Sequence, residues 1–305
     1  MKPEKSRILR WSFLAVTAVM LMAAGPPGDN FVTIDVPGAI ATFGLGITNQ
    51  GLVTGEYVDA FKNAHGFVYE DGVITTVDAP TSNPPLSQTV LYNINNKGWV
   101  GAQYIADDGV LRAAGYNVNT QAWTTLPVIP GTGYTGAGGV NARGVFAGNW
   151  STDPTASTGN QGWTFDSKTN SYSFFDVPGV DKSQGGTIVN GINNAGVVVG
   201  LFFDSNGGLH GFTKTGTQYT TIDVPGADFT APQGINNEGD VSGVYSAGGV
   251  RHGFVLTRSG KLITIDVPGV SNSALFGVSD NGSVAGYYKT ADGVDHGFYV
   301  LRAVP

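Results

Sequence analysis

The chain has 305 residues, 46 of them glycine and none cysteine, with 13% charged side chains and a formal charge of −7. The missing cysteines exclude a disulfide framework, thiolate metal sites and a cysteine nucleophile. The acidic balance sets the surface against phosphate backbones and anionic lipid, so nucleic acid is not an expected partner.

The first element is a leader. Lys2, Lys5, Arg7 and Arg10 precede an uncharged apolar run, Trp11–Ala24, which gives way to Gly25-Pro-Pro-Gly28. That order predicts a secretory signal peptide over residues 1–24. A membrane anchor is the rival reading, but the run would extend only about 21 Å as a helix, short of a hydrocarbon core of roughly 30 Å. Residues 25–30 read as a short linker and 31–305 as a single domain. Without the leader, 12 Lys and Arg face 22 Asp and Glu, a formal charge of −10. No later segment is apolar enough to span a bilayer. A soluble, monomeric chain that is secreted or periplasmic is therefore expected.

The rest of the chain repeats. TIDVPG stands at Thr33–Gly38, Thr221–Gly226 and Thr264–Gly269, with FFDVPG at Phe174–Gly179, TVDAP at Thr76–Pro80 and a degraded TTLPVIPG at Thr124–Gly131. Measured on Asp35, Asp78, Pro127, Asp176, Asp223 and Asp266, the intervals are 43, 49, 49, 47 and 43 residues. Such a period suggests a propeller or an array. Each unit holds four short runs that alternate apolar with polar or small residues, and nothing of helical period intervenes. Four antiparallel strands per unit is a propeller-blade module.

Within a unit, the first run leads into an Asn-Gly turn, as in Gly191–Gly196 and Gly234–Gly239. The second ends on an aromatic residue: Tyr57, Tyr104, Trp150, Phe202, Tyr245 or Tyr288. These six rings are expected to pack between blades. The third carries HGF at His65–Phe67, His210–Phe212, His252–Phe254 and His296–Phe298, which becomes AGY at Ala114–Tyr116 and QGW at Gln161–Trp163. Units of the form GINNxGxVVGxY followed by HGF resemble the bacterial extracellular HAF-repeat family over nearly the whole chain after the leader. The resemblance implies export and a repeated β-fold, and it carries no activity onto particular residues.

Unit six lacks a fourth strand, and the N-terminal segment Phe31–Val36 is a spare one. The fold class expected is therefore all-β: a six-bladed propeller whose last blade is completed by the N-terminal strand, Thr33–Gly38 pairing with His296–Leu301. An open linear array is the alternative.

No nucleophile elbow, zinc-protease or phosphate-loop motif occurs, and no cofactor is expected. The four histidines are read as hydrogen-bonded to a neighbouring blade's backbone, since repeat-equivalent imidazoles lie too far apart to share a metal. One histidine with loop carboxylates, His296 with Asp292 or Asp295, is the sharper metal hypothesis. The aspartate of DVPG is read as guarding the outer edge strand against pairing with other chains. Asn193 and Asn236 are read as turn formers. With Asn95 and Asn141 they are also the one feature in favour of an alternative function, a metal-dependent lactonase or esterase with its site at the channel.

The preferred function is a binding or scaffold module for an extracellular glycan, peptide or protein. Its surface is expected where the repeat breaks down, on the loops of units two and three. Both lack HGF, and the degraded DVPG is counted with unit three. Tyr104, Asp107, Asp108 and Arg112 in unit two, with Trp150 and Asp153 in unit three, are the candidate partner-binding residues.

Overall fold

The computed structural model describes residues 18–19 and 31–304. The leader and linker assigned to residues 1–30 lie outside the described residues except for Ala18 and Val19, which pair with Ile74 and Val73. No helix among the described residues is long and apolar enough to cross a membrane.

From Phe31 to Val300 the chain is built of strands, and each repeat folds as a four-stranded antiparallel unit. Unit four shows the pattern: Thr187–Ile192, Val198–Phe203, Leu209–Thr215 and Gln218–Ile222 pair in that order. In unit six, Asn272–Val278, Val284–Lys289 and Asp295–Val300 are followed by no strand of their own. Phe31–Ile34 pairs there instead, Phe31 opposite Val300 and Ile34 opposite Gly297. The pairing lies two residues earlier than the TIDVPG motif suggested, because the chain turns at Pro37 and Gly38.

Every first strand carries a bulge at the same point, such as Leu275/Gly277 in unit six and Gly44/Gly46 in unit one. A bulge adds a residue and sharpens the local bend. Here it coincides with close approach of the first strands of neighbouring units. A Cβ on Gly277 would lie 2.9 Å from the Gly46 Cα, so only glycine fits.

Consecutive units touch through single parallel bridges between one third strand and the next first strand: Leu111 with Tyr134, Arg251 with Asn272, and Asp295 with Ala41. The backbone ladders make up three sheets of 13, 8 and 4 strands, none closed on itself.

The hydrophobic cores lie between units. One joins Val255 and Val267 of unit five to Leu275, Phe298 and Val300 of unit six. Another joins Ile34 and Ala285 of unit six to Ile47, Val53 and Phe67 of unit one. The HGF phenylalanines Phe67, Phe212, Phe254 and Phe298 are all fully buried, Phe298 and Phe67 in these two cores. Their glycines make room for the next unit: a Cβ on Gly253 would sit 2.8 Å from the Leu275 side chain.

Two assignments change in unit two. The degraded copy at Thr124–Gly131 belongs here, because Ala122–Thr125 pairs with Ala114–Asn117. The HGF slot is not AGY. Tyr104 pairs with Arg112 as Tyr57 pairs with His65, and Ala114 pairs with Thr125 as Phe67 pairs with Thr76. Arg112-Ala-Ala114 therefore fills the slot, and Arg112 stands where other units have histidine.

Candidate functional site

The histidines do not bond a neighbouring backbone. Each pairs through Nδ1 with the DVPG aspartate of its own unit: His65 with Asp78 at 3.0 Å, His210 with Asp223 at 3.0 Å, and His252 with Asp266 at 2.7 Å. In unit six the partner is Asp35 from the N-terminal strand, at 2.8 Å. The aspartate is thus a clasp between third and fourth strands rather than only an edge guard. Burial holds the Asp78 carboxyl above the usual range, and the neighbouring His65 offsets only part of that rise.

The second-strand aromatics cover these histidines from within the same unit. Tyr57 stacks on His65, Tyr245 on His252 and Tyr288 on His296, with centroids 5.0, 5.0 and 5.2 Å apart. The three hydroxyls then meet the threonine of the fourth strand, at Thr76, Thr264 and Thr33. Ring, imidazole, carboxylate and hydroxyl make one repeated set that ties the second, third and fourth strands of a unit together. His296 Nε2 is taken up by Thr290, whose hydroxyl also donates to Asp292, while Asp295 pairs with Lys289. Among the described residues no group of three or more His, Asp or Glu side chains is placed to hold a metal.

Units two and three break this set differently. In unit three Gln161 takes the histidine's place and donates to Asp176 at 2.9 Å, while its Oε1 accepts from the Trp150 indole at 3.2 Å. In unit two Pro127 removes the aspartate. Arg112 turns instead to Asp108, and its Nε is left buried without a partner.

The candidate residues separate on this basis. Tyr104, Asp108 and Arg112 come together, Tyr104 packing edge-on against Trp123. Asp107 instead accepts from the Ser82 amide, which holds its carboxyl below the usual range. Asp153 is spent on its own loop, accepting from the Thr155, Ser157 and Thr158 amides. That loop is tied to unit four through Gly159 N–H to Lys182 O and Asn160 N–H to Gly185 O. Trp150 joins Arg112 only through rings the sequence reading passed over. Trp150 meets Phe174 at 5.9 Å, Phe174 stacks on Tyr172 at 5.7 Å, and the Tyr172 hydroxyl donates to Pro127 O. Arg112, Pro127, Val128, Thr132 and Tyr172 line a narrow slot between the two units. Phe174 and Val128 are 47% and 59% exposed. The signal was in the sequence: FFDVPG puts Phe174 where the other copies have the threonine that meets a tyrosine hydroxyl.

The axial end of the first strands is built of amides. Each turn asparagine accepts amides of its own turn and donates to the next unit: Asn95 to Val140 O, Asn141 to Asn193 O, Asn193 to Asn236 O and Asn236 to Ser279 O. Asn281 continues to Asn49 O, and the Asn49 amide donates to Asn96. This circuit visits all six units. Asn93 donates to the carbonyls of Gly138, Asn190 and Gln233, across units three to five. The cavity there is about 50 Å³, with Asp280 as its one carboxylate lining residue. The carboxamides that would have served as metal ligands are engaged in holding units together. Glu56 of unit one is the other notable acid, and burial pushes its carboxyl up to about 7. Tyr134 of unit three is pushed up to about 12, also by burial.

No family model matches the chain, and no curated protein matches it. Solved structures do. TolB from Acinetobacter baumannii is similar at a TM-score of 0.57 and 9% identity, covering 82% of this chain and 63% of its own. AofleA from Arthrobotrys oligospora is similar at 0.56 and 16%, covering 90% and 88%. A streptogramin B lyase is similar at 0.50 and 15%, also covering 90% and 88%. At these identities the likeness establishes the fold alone: the chain is an all-β, propeller-like protein.

Proposed function

We propose that the chain is an exported six-bladed β-propeller, closed by Phe31–Ile34, that holds an extracellular glycan on the surface between units two and three. The glycan lies against the exposed Phe174 ring and across the mouth of the slot beside Arg112, whose volume of about 10 Å³ admits no sugar ring. Six strand quartets, the Phe31–Val300 pairing and the amide circuit through all six units support the closed ring. The resemblance to the HAF-repeat family supports export. An Aleuria aurantia lectin of similar fold, TM-score 0.50 and 9% identity, has been solved with Fucalpha1-6GlcNAc, so a fold of this kind can carry a sugar site.

The observation that carries the reading is Arg112. Its buried Nε has no partner and borders a slot walled by Tyr172, with the exposed Phe174 ring beyond. Sugars present an apolar C–H face and a rim of hydroxyls, and an aromatic wall with a fixed donor satisfies both. A glycan array probed with the full chain, then calorimetry on the best hit, tests this. Arg112→Gln and Trp150→Phe should each lower affinity about tenfold, the weight of one charged hydrogen bond or one ring contact. An array without a hit, or variants that bind as the parent does, would refute it.

A further inference from the structure

A second opening lies between the same two units, on the opposite face. It is a cavity of about 410 Å³, walled by Trp99, Val140 and Phe146, with Lys97 and Arg143 among its lining residues. That volume falls within the roughly 300–1,000 Å³ of small-molecule pockets.

A glycine behind the walls lets them approach. A Cβ on Gly115 would lie 2.7 Å from the Phe146 ring and 3.6 Å from Trp99, so the bare backbone lets Phe146 of unit three slide over unit two. Phe146 is buried in the core cluster against which Trp99 packs, so the apolar wall is held rigidly.

The charge of the cleft runs against that of the chain. Among the described residues, the Lys and Arg side chains in ion pairs are Arg112, Lys182 and Lys289. Lys97 and Arg143 are not among them. The Lys97 ammonium donates to Ala142 O at 3.2 Å, which leaves two of its three N–H groups free. The Arg143 guanidinium reaches away to unit four, where one of its nitrogens lies 3.1 Å from the Cβ position at Gly196, so Lys97 is the cation of this cleft. The matching cleft between units four and five is about 420 Å³, but has Val197, Val241 and Leu256 for walls and Glu238 as well as Arg258. Two aromatic walls with an uncompensated lysine therefore set this cleft apart from the one between units four and five.

We propose that this cleft binds a small organic anion, a carboxylate or sulfonate carried on a flat aromatic ring. The ring lies against Trp99 and Phe146, and the anionic group meets Lys97. This stands apart from the glycan reading and shares no residue with it.

The test titrates the full chain with 2-naphthoate and with its neutral counterpart, 2-naphthamide. Naphthoate should bind saturably and at least tenfold more tightly than the amide. K97Q should lose about tenfold in naphthoate affinity and keep its affinity for the amide. Should that variant fail to melt cooperatively, K97M, which keeps the apolar stem, should show the same loss. Arg112→Gln, on the other face, should bind naphthoate as the parent does. Equal affinity for the two probes, or full naphthoate binding by the lysine variant, overturns the proposal. Loss of naphthoate binding in Arg112→Gln overturns it equally, by putting the anion in the other slot.

Discussion

Truncating Ile34 to alanine is the sharpest test of how the two ends of the chain meet. Ile34 is fully buried, and its side chain packs with Ile47, Val53 and Phe67 of unit one and Ala285 of unit six. Ile34→Ala removes three carbons, about 2.5 kcal/mol by transfer alone. The walls are strands fixed by ladders on both sides, so the cavity should collapse little, and the total rises to roughly 3–4 kcal/mol. At about 2–4 °C per kcal/mol for a domain of this size, the melting temperature should fall on the order of 10 °C. Differential scanning calorimetry reads this directly. The cores are shared between units, so the parent and Ile34→Ala should each melt in one transition, the whole curve moving together. Val32→Ala, at a half-buried position of the same strand, should cost under about 1 kcal/mol. A drop of less than about 2 °C in Ile34→Ala would refute the reasoning. So would a split curve in which part of the molecule melts at the parent temperature, since units one and six would then not be coupled to the rest.

His252→Gln should cost less than about 1 kcal/mol by urea denaturation, because Gln161 already makes the equivalent bond to Asp176, whereas His252→Ala should cost about 1–2 kcal/mol. Glu56 predicts a pH effect. Its carboxyl is raised from 4.5 to about 7 in the folded chain, so the folded state holds a proton that the unfolded state gives up in that window, and stability falls as pH rises through it. Glu56→Gln should flatten that slope and stabilise the protein at pH ~8 by at most about 3 kcal/mol, less to the extent that water reaches this half-buried side chain. Identical pH slopes for parent and variant would count against it.

The sequence displayed what is written along one strand and hid what lies across two. The TIDVPG copies were legible as fourth strands because alternation and turn residues are local properties. The spare strand at Phe31 was legible because a deficit at one end matched a surplus at the other. The His252–Asp266 bond was not, since the two stand 14 residues apart and meet only once register is fixed. The same lack of register made AGY look like the HGF slot of unit two. Letter similarity favoured Ala114–Tyr116, but the short loop after Ile105 aligns Arg112 with Tyr104. The asparagines were legible as turn formers, because Asn193 accepting from Ala195 and Val197 is local. Its second bond, to Asn236 O in the next unit, is tertiary.

Repetition within one chain supplies its own control for separating architecture from function. In four units the imidazole–aspartate clasp is made with its partners satisfied, so each of those slots is explained by folding. Unit three keeps an aspartate and substitutes an amide donor, yet the Asp176 Oδ1 and the nearby Trp163 indole N–H are buried without partners. Unit two loses the aspartate altogether and leaves the Arg112 Nε in the same condition. The other buried unpartnered side-chain atoms among the described residues are Thr81 Oγ1 and Asp295 Oδ1. An unpaired buried polar group costs about 1–3 kcal/mol, and a repeat that elsewhere satisfies this position had an inexpensive remedy at hand in histidine and aspartate. Three such groups at the two adjacent slots that depart from the pattern are what a folding requirement would not produce. Of the three, Arg112 is the one that lines the slot between the units, and a ligand that completes hydrogen bonds at the mouth of that slot would account for it.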